Sequence, residues 1–155
     1  MKIKYESSLV TFLEVPDEIT LCFNITGCPC NCEGCFEPWL TKYYGNELDC
    51  AVLESEIVTH KHLSCICFMG GDAFYDDIAQ LIKVMRLKFP NLKWAMYSGR
   101  SIMNEELSQL LDYYKIGPFI PKCGPLNEKT TNQRMYKKVD GQWIDITYRF
   151  QEEKF

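Results

Sequence analysis

The chain has 155 residues, 46% hydrophobic and 14% aromatic, which is enough apolar material for a buried core, and we expect a single domain over residues 1–155. The net charge of −4 argues against general nucleic-acid binding, which depends on a basic excess. No apolar run approaches the ~20 residues of a membrane-spanning helix, and residues 1–6 alternate like a strand and lack the apolar block of a signal sequence. The nine cysteines are therefore expected to be free thiols in a reducing cytoplasm.

The first predicted elements lead into a cysteine-rich loop. Short extended segments are predicted at residues 2–5 and 11–15, with a turn at Pro16-Asp17. Residues 19–25 are rich in β-branched and aromatic side chains, which predicts a strand. Four cysteines fall within residues 28–35, so the loop follows the C-terminal end of a strand, where α/β folds place their chemistry.

Three cysteines of this loop, Cys28, Cys32 and Cys35, have the spacing C-x3-C-x2-C. A loop this short brings three thiolates around one metal ion or one small cluster. Thiolates are suitable ligands for iron–sulfur clusters, zinc or Cu(I). Three ligands without an obvious fourth leave one metal position open, and an open position allows a cluster to bind a substrate or cofactor directly. The spacing therefore favours an iron–sulfur cluster with an open site.

Two other kinds of site remain open on the spacing alone. A structural zinc site normally has four Cys or His ligands. Cys30 would complete four thiolates only from an awkward position inside the turn, and His60 and His62 lie at the end of a predicted helix. A disulfide framework is typical of small secreted chains and fits poorly with an odd number of cysteines.

Beyond the loop, helices and strands alternate. Asp49 is a predicted N-cap for a helix over residues 51–59. Residues 64–69 form a continuous apolar run, which predicts a buried parallel strand. Cys65 and Cys67 share one face of this strand and are expected to be small buried hydrophobic side chains, with metal ligation as the second interpretation.

A second helix follows Gly70-Gly71-Asp72. Asp76 and Asp77 open this helix and Pro90-Asn91 ends it. An apolar stripe marks its buried face: Ile78, Leu81, Ile82, Met85 and Phe89.

The next strand is predicted at residues 93–97 and ends at Ser98-Gly99, and Asn104 caps a third helix. Residues 113–116 fit either the end of that helix or a short strand, because periodicity does not separate the two. A long loop over residues 117–134 is typical of a functional segment.

This alternation predicts βαβ units with a parallel sheet, followed by a β-hairpin over residues 137–146 with an Asp-Gly turn. In a parallel sheet the loops at the strand ends meet at one edge. We therefore expect residues 28–36, 70–72 and 98–99 to frame a single site.

The motifs together resemble the radical S-adenosylmethionine (SAM) superfamily and, within it, the activating proteins of anaerobic ribonucleotide reductases. The resemblance covers positions 27–134 and rests on short motifs in the order of that family: Gly27-Cys28-Pro29, Cys32-Glu33-Gly34-Cys35-Phe36, Met69-Gly70-Gly71-Asp72, Tyr97-Ser98-Gly99, Gly117-Pro118-Phe119 and Asn132-Gln133-Arg134. The family usually has a histidine, not a cluster ligand, where this chain has Cys30, and it has Pro more often than Ala73.

The resemblance implies an α/β fold, an incomplete βα barrel with a mostly parallel sheet and the C-terminal hairpin. It implies that Cys28, Cys32 and Cys35 hold a [4Fe–4S] cluster whose fourth iron binds SAM. One-electron reduction, by a flavodoxin or ferredoxin, would then yield a 5′-deoxyadenosyl radical that takes hydrogen from a glycine of the large reductase subunit.

The resemblance also implies a set of cofactor-binding residues: Gly34, Phe36, Gly70, Gly71, Asp72, Ser98 and Arg134. Each has a simpler alternative. The Asp72 side chain would equally suit an N-cap of the next helix, Phe36 core packing, Ser98 a strand end, and Arg134 a solvated loop position.

Two other functions are retained as alternatives. One is a radical SAM enzyme with another protein or small-molecule target, and the other is a non-catalytic adaptor that binds zinc or a cluster. Trp39, Tyr43 and Tyr44 form either a docking surface for the partner or a lid on the same domain.

Overall fold

A computed structural model describes residues 2–152 of the chain. Within them, eight strands form one sheet in the order β3-β1-β2-β4-β5-β6-β7-β8. The strands are β1 (Lys4–Thr11), β2 (Thr20–Ile25), β3 (Asn46–Glu47), β4 (Cys65–Met69), β5 (Lys93–Tyr97), β6 (Tyr113–Ile116), β7 (Arg134–Val139) and β8 (Gln142–Asp145). The helices are α1 (Cys50–Thr59), α2 (Tyr75–Lys88) and α3 (Glu105–Leu110), with 3₁₀ turns at Pro38–Thr41 and Thr147–Phe150.

The α/β class is confirmed, but the sheet is mixed. Strands β2, β4, β5 and β6 pair in parallel, and each is followed by a crossover that contains a helix, except for β6. The flanking pairs β1–β2, β1–β3, β6–β7 and β7–β8 are antiparallel. Parallel pairing requires a long crossover, and the outer connections reverse the chain without a helix, so they produce antiparallel neighbours.

The sheet has one face against the helices and one face without them. Alternate residues of the central strands, such as Phe23, Phe68 and Trp94, pack with the apolar sides of the helices. The strand residues between them form a second, smaller buried cluster with residues from neighbouring loops: Val15, Cys22, Cys65, Cys67, Ala95, Tyr113, Leu126, Met135 and Ile146. The buried, hydrophobic role predicted for Cys65 and Cys67 is confirmed. The period-2 alternation of a strand separates these two faces.

Most predicted elements agree with the structure within one or two residues. Asp49 accepts a hydrogen bond from the Val52 backbone N–H at 2.9 Å, and Asn104 accepts one from Leu107 at 3.0 Å, so both predicted N-caps are confirmed. Residues 113–116 form strand β6, because they pair with β5. The hairpin turn has positive φ at Asp140 (51°) and Gly141 (79°), as a type I′ turn requires.

The extended segment predicted at residues 11–15 is wrong. Strand β1 continues to Thr11, which pairs with Thr20 in the last register position, and residues 12–17 form bends and a turn. The Glu18 N–H donates to the Val15 carbonyl at 3.2 Å and Asp17 has a φ of 70°, so the chain reverses before it can extend. The predicted turn at Pro16-Asp17 is confirmed.

A buried carboxylate holds the N-terminal edge of the parallel strands. Glu18 is only 6% exposed and accepts hydrogen bonds from Lys93 at 2.9 Å and Tyr113 at 2.8 Å. These contacts connect the turn before β2 to the first residues of β5 and β6. The residues that line the main cavity lie at the opposite, C-terminal edge of the same strands.

No described helix is long and apolar enough to cross a membrane. The predicted single domain also includes residues 1 and 153–155, which lie outside the described residues, and it stays a prediction.

Gly71 follows β4 and packs against α2. A Cβ atom placed on Gly71 would lie 2.3 Å from Cδ1 of Ile78, a fully buried side chain. This contact alone accounts for a glycine at position 71, because a larger residue would overlap the helix.

We predict that Gly71→Ala lowers the free energy of unfolding by about 1–3 kcal/mol, since the new methyl group overlaps Ile78. In an Ile78→Val background, which lacks Cδ1, the same substitution should cost less. Urea denaturation of the four proteins in this double-mutant cycle measures the difference. An equal loss in both backgrounds would show that Ile78 is not the residue that excludes a side chain at position 71.

Candidate metal centre

A cavity of about 510 Å³ lies at the C-terminal ends of the parallel strands. Its wall includes residues of all three strand-end loops that the topology brings to this edge, among them Cys32, Gly70 and Ser98. A volume of this size is typical of small-molecule and cofactor sites.

The cysteine loop presents four thiols to this cavity, those of Cys28, Cys30, Cys32 and Cys35. Cys28, Cys32 and Cys35 all line it, are free and are half-buried. The loop is attached to the next 3₁₀ turn by a hydrogen bond from the Cys28 N–H to the Leu40 carbonyl at 2.9 Å. Asn31 has a φ of 45°, which bends the chain sharply between the first two thiols.

Cysteine thiols are the candidate metal ligands in this cavity. Among residues 2–152, no three His, Cys, Asp or Glu side chains stand close enough together to hold one metal ion. His60 ends helix α1 and neither it nor His62 lines the cavity, so no histidine completes a zinc site there.

Asp72 joins the strand-end loops. It is 6% exposed, and its Oδ1 accepts hydrogen bonds from Ser98 Oγ at 2.5 Å and Tyr75 Oη at 2.7 Å. Its Oδ2 accepts from the Gly99 N–H at 2.9 Å and from Cys30 Sγ at 3.4 Å. We call these five residues the Asp72 network.

The alternative role of Asp72 as a helix cap is wrong. Helix α2 begins after Phe74, and no side chain caps its first turn. The carboxylate instead raises the pKa of two neighbours. Burial and the adjacent Asp72 raise the pKa of Cys30 to about 12 and hold the pKa of Tyr75 well above its ordinary value. Both groups thus remain protonated donors to Asp72 at neutral pH.

The other predicted cofactor-binding residues divide into two groups. Phe36, Gly70 and Ser98 line the cavity. Phe36 is 72% exposed, and its ring centroid is 5.2 Å from that of Phe119, so it lies at the mouth and not in the core. Gly70 has a φ of 91°, which favours glycine at this strand end.

Gly34, Gly71 and Arg134 lie outside the cavity wall. Gly34 has a φ of 72°, and a Cβ there would approach Pro121 Cγ to 3.1 Å. Arg134 Nη1 is 3.5 Å from Asp145 Oδ2 in the β7–β8 hairpin, and the preceding residue, Gln133, lines the cavity. The roles of these three residues toward a cofactor stay predictions.

Lys115 is a cavity residue that the sequence reasoning missed. It is 7% exposed and donates hydrogen bonds to the Ser98 carbonyl at 3.1 Å and the Gly117 carbonyl at 2.8 Å. Burial lowers its pKa from 10.5 to about 8, and the nearby Asp72 and Cys32 oppose part of this decrease. The sequence did contain a signal for this position. Lys115 is two positions after Tyr113 in a predicted strand, so both side chains are on the same face of the sheet.

The cavity mouth also carries carboxylates that the sequence reasoning missed. Glu14 and Glu37 both line it. Burial raises the pKa of both groups, and the charges of Glu6 and Glu14 raise that of Glu37 further. Trp39 is 46% exposed and donates from Nε1 to Glu6 at 3.1 Å.

The tyrosines after the loop contact their own domain. Tyr43 donates to the Lys2 carbonyl at 2.6 Å and its ring lies 6.3 Å from that of Phe74. The Tyr44 carbonyl accepts from Thr26 Oγ1 at 2.6 Å. These contacts favour the lid interpretation for Tyr43 and Tyr44, while Trp39 keeps an exposed face.

The sequence of this chain matches one protein-family model and is similar to a known activating protein. The model of the "4Fe-4S single cluster domain" family matches residues 19–148. The chain is 24% identical over 131 residues to the "Anaerobic ribonucleoside-triphosphate reductase-activating protein" of Enterobacteria phage T4, an alignment that covers 77% of this chain and 84% of the phage protein. No solved structure matches the chain.

We predict a pH-dependent stability difference between metal-free wild type and Lys115→Met. Below pH 8 the lysine is protonated in the folded and unfolded states alike. Between pH 8 and 10.5 the folded state binds fewer protons, so the free energy of unfolding of the wild type should rise relative to Lys115→Met, by up to about 3 kcal/mol.

Urea denaturation of both proteins between pH 7 and 10 measures this difference, and other titrating groups cancel between them. Lys122→Met, at an exposed position, is the matched control and should show no such trend. A constant difference across this range would mean that the folded-state pKa of Lys115 is not lowered.

Proposed function

Because the chain belongs to the 4Fe-4S single cluster domain family, we propose that it is a radical SAM enzyme that activates an anaerobic ribonucleotide reductase. The observation that carries the proposal is the shared cavity, where the thiols of Cys28, Cys32 and Cys35 meet the Gly70–Asp72 and Ser98–Gly99 loops. The name of the phage T4 relative supports the choice of target.

The three thiols are the proposed ligands of three irons of a [4Fe–4S] cluster, with the fourth iron free for SAM. When bound and reduced, the cluster supplies the one-electron chemistry that cleaves SAM and provides the radical that removes hydrogen from a glycine of the target. The role of the protein is to bind, orient and shield the reactants. A flavodoxin or ferredoxin is the proposed electron donor.

Lys115 and Asp72 have different proposed roles in the cavity. The Lys115 ammonium has three N–H groups and donates two of them to backbone carbonyls, so one remains for the carboxylate of SAM. The Asp72 carboxylate already accepts four hydrogen bonds from the protein. We therefore assign Asp72 to holding the cavity wall in place rather than to direct contact with the SAM ammonium.

The remaining proposed contacts are apolar or involve the backbone. Gly70 lets the main chain approach the methionine end of SAM. Ser98 lies at the same edge, where its hydroxyl group donates to Asp72 and supports the cavity wall. Phe36, with Phe119 beside it, forms an aromatic surface at the mouth that suits the adenine ring.

The proposed macromolecular substrate is a loop of the large reductase subunit. The sheet is proposed to curve as an incomplete barrel, with the cavity open at its mouth. Leu13, Glu14 and Glu37 line the cavity, and Leu13 is 65% exposed. Phe12, which precedes Leu13 in the chain, is 68% exposed. An exposed apolar patch next to a reactive cavity suits docking of a protein segment.

We expect anaerobically reconstituted protein with dithionite to convert SAM to 5′-deoxyadenosine, and Cys32→Ala to lose this activity by at least about a hundredfold, since a cluster ligand is missing. Cys123→Ala is the matched control, because Cys123 is also free and half-buried but lies outside the cavity wall.

Full activity in Cys32→Ala would contradict the proposed ligand set. Zinc in the purified protein, together with no SAM binding, would favour a non-catalytic zinc adaptor. SAM cleavage without glycyl-radical formation on the reductase would favour another target.

We expect Phe12→Asp to reduce glycyl-radical formation on the large reductase subunit about tenfold or more, because it places a charge in the apolar docking patch. Cleavage of SAM in the absence of the reductase should stay at the wild-type level. Leu87→Asp is the control, since Leu87 is 86% exposed on α2. Equal radical yields for the two variants, measured by electron paramagnetic resonance, would place the docking surface elsewhere.

A further inference from the structure

Cys30 lies in the cysteine loop but is engaged by the opposite wall of the cavity. Its Sγ is 3.4 Å from Asp72 Oδ2 and serves as a donor to it. A Cβ atom placed on Gly99 would lie 2.7 Å from Cys30 Sγ, so the thiol packs directly on the backbone of the turn after β5. The sulfur of Cys30 is therefore held between two strand-end loops.

The Asp72 network extends this contact across the cavity wall. Asp72 also accepts from Ser98 Oγ and from the Gly99 N–H, and these residues follow β5, whereas Asp72 follows β4. Cys30 is the member of the network that comes from the cysteine loop. The loop thus has one side-chain attachment to the same carboxylate that joins the two other loops.

The position of Cys30 is unsuited to a fourth cluster ligand. Its Sγ is held 3.4 Å from Asp72 Oδ2 and against the backbone of Gly99, so a ligand role would require the sulfur to give up this packing. Turning the sulfur toward the other three thiols would remove a donor from the nearly buried Asp72. Both costs favour the observed contact.

We propose that Cys30 is a positioning residue, which fastens the cysteine loop to Asp72 and Gly99 so that Cys28, Cys32 and Cys35 face the cavity. The proposal rests on the proposed function only in taking those three cysteines as the cluster ligands. Loss of this contact would loosen the cysteine loop relative to Gly70 and Ser98. SAM is proposed to contact both sides of the cavity at once, so a looser loop should weaken SAM binding.

The test compares iron content with SAM binding in reconstituted variants. Cys30→Ala is expected to hold as much iron per chain as the wild type, whereas Cys32→Ala holds clearly less. The KM for SAM should rise about fivefold in Cys30→Ala, as expected for the loss of one hydrogen bond, with kcat changed less. Cys30→Ser, whose hydroxyl group can donate to Asp72, should restore most of the affinity.

A second variant tests the same contact from the other side. Gly99→Ala leaves Cys30 unchanged but places a methyl group where its sulfur lies. It should therefore raise the KM for SAM and keep the iron. The electron paramagnetic resonance signal of the reduced cluster, titrated with SAM, should shift at higher SAM concentrations in both Cys30→Ala and Gly99→Ala.

Two results would overturn the proposal. Iron loss in Cys30→Ala equal to that in Cys32→Ala would make Cys30 a ligand. An unchanged KM for SAM in Cys30→Ala or in Gly99→Ala would show that the contact of Cys30 with Asp72 and Gly99 does not position the cysteine loop for SAM binding. If the wild type holds iron but does not cleave SAM, the proposed function fails, and the iron content of the variants still decides whether Cys30 is a ligand.

Discussion

The buried carboxylate of Asp72 is the contact on which the site depends. A carboxylate that is 6% exposed is stable only if its oxygens are hydrogen-bonded, and four donors satisfy it here. These donors come from the cysteine loop, from helix α2 and from the turn after β5. The position of three cavity walls is therefore coupled to one side chain, and removing it would leave several donors unpaired at once.

Two buried carboxylates hold opposite edges of the same parallel strands. Glu18 ties the N-terminal edge together through Lys93 and Tyr113, where no cavity is needed. Asp72 holds the C-terminal edge and leaves space beside it, since its partners are loops and not the next strand. The helices pack on one face only, so the other face remains free for the thiols and for the Lys115 ammonium.

Much of the fold was predictable because its signals are local. The strands over 64–69 and 93–97, the caps Asp49 and Asn104 and the Asp-Gly hairpin follow from periodicity and turn chemistry within about ten residues. The extended segment over 11–15 was predicted wrongly because β2 offers no partner beyond Thr20, and this limit lies in the pairing and not in the local sequence. The other antiparallel pairs, β1–β2, β1–β3 and β6–β7, depend on pairings that no local pattern determines.

The sequence by itself determined the close spacing of the thiols in one loop, the alternation of strands and helices, and the meeting of three loops at one sheet edge. Spacing and chain order are enough for these conclusions. Only the tertiary structure decided that Asp72 does not cap α2, that Cys30 donates to it across 42 positions, that Gly71 packs on Ile78 and that Lys115 lines the cavity. The contact of Cys30 with Asp72 joins residues far apart in the chain, and the contact of Gly71 with Ile78 depends on how the strand end meets the helix. The geometry of both exists only once the sheet has formed.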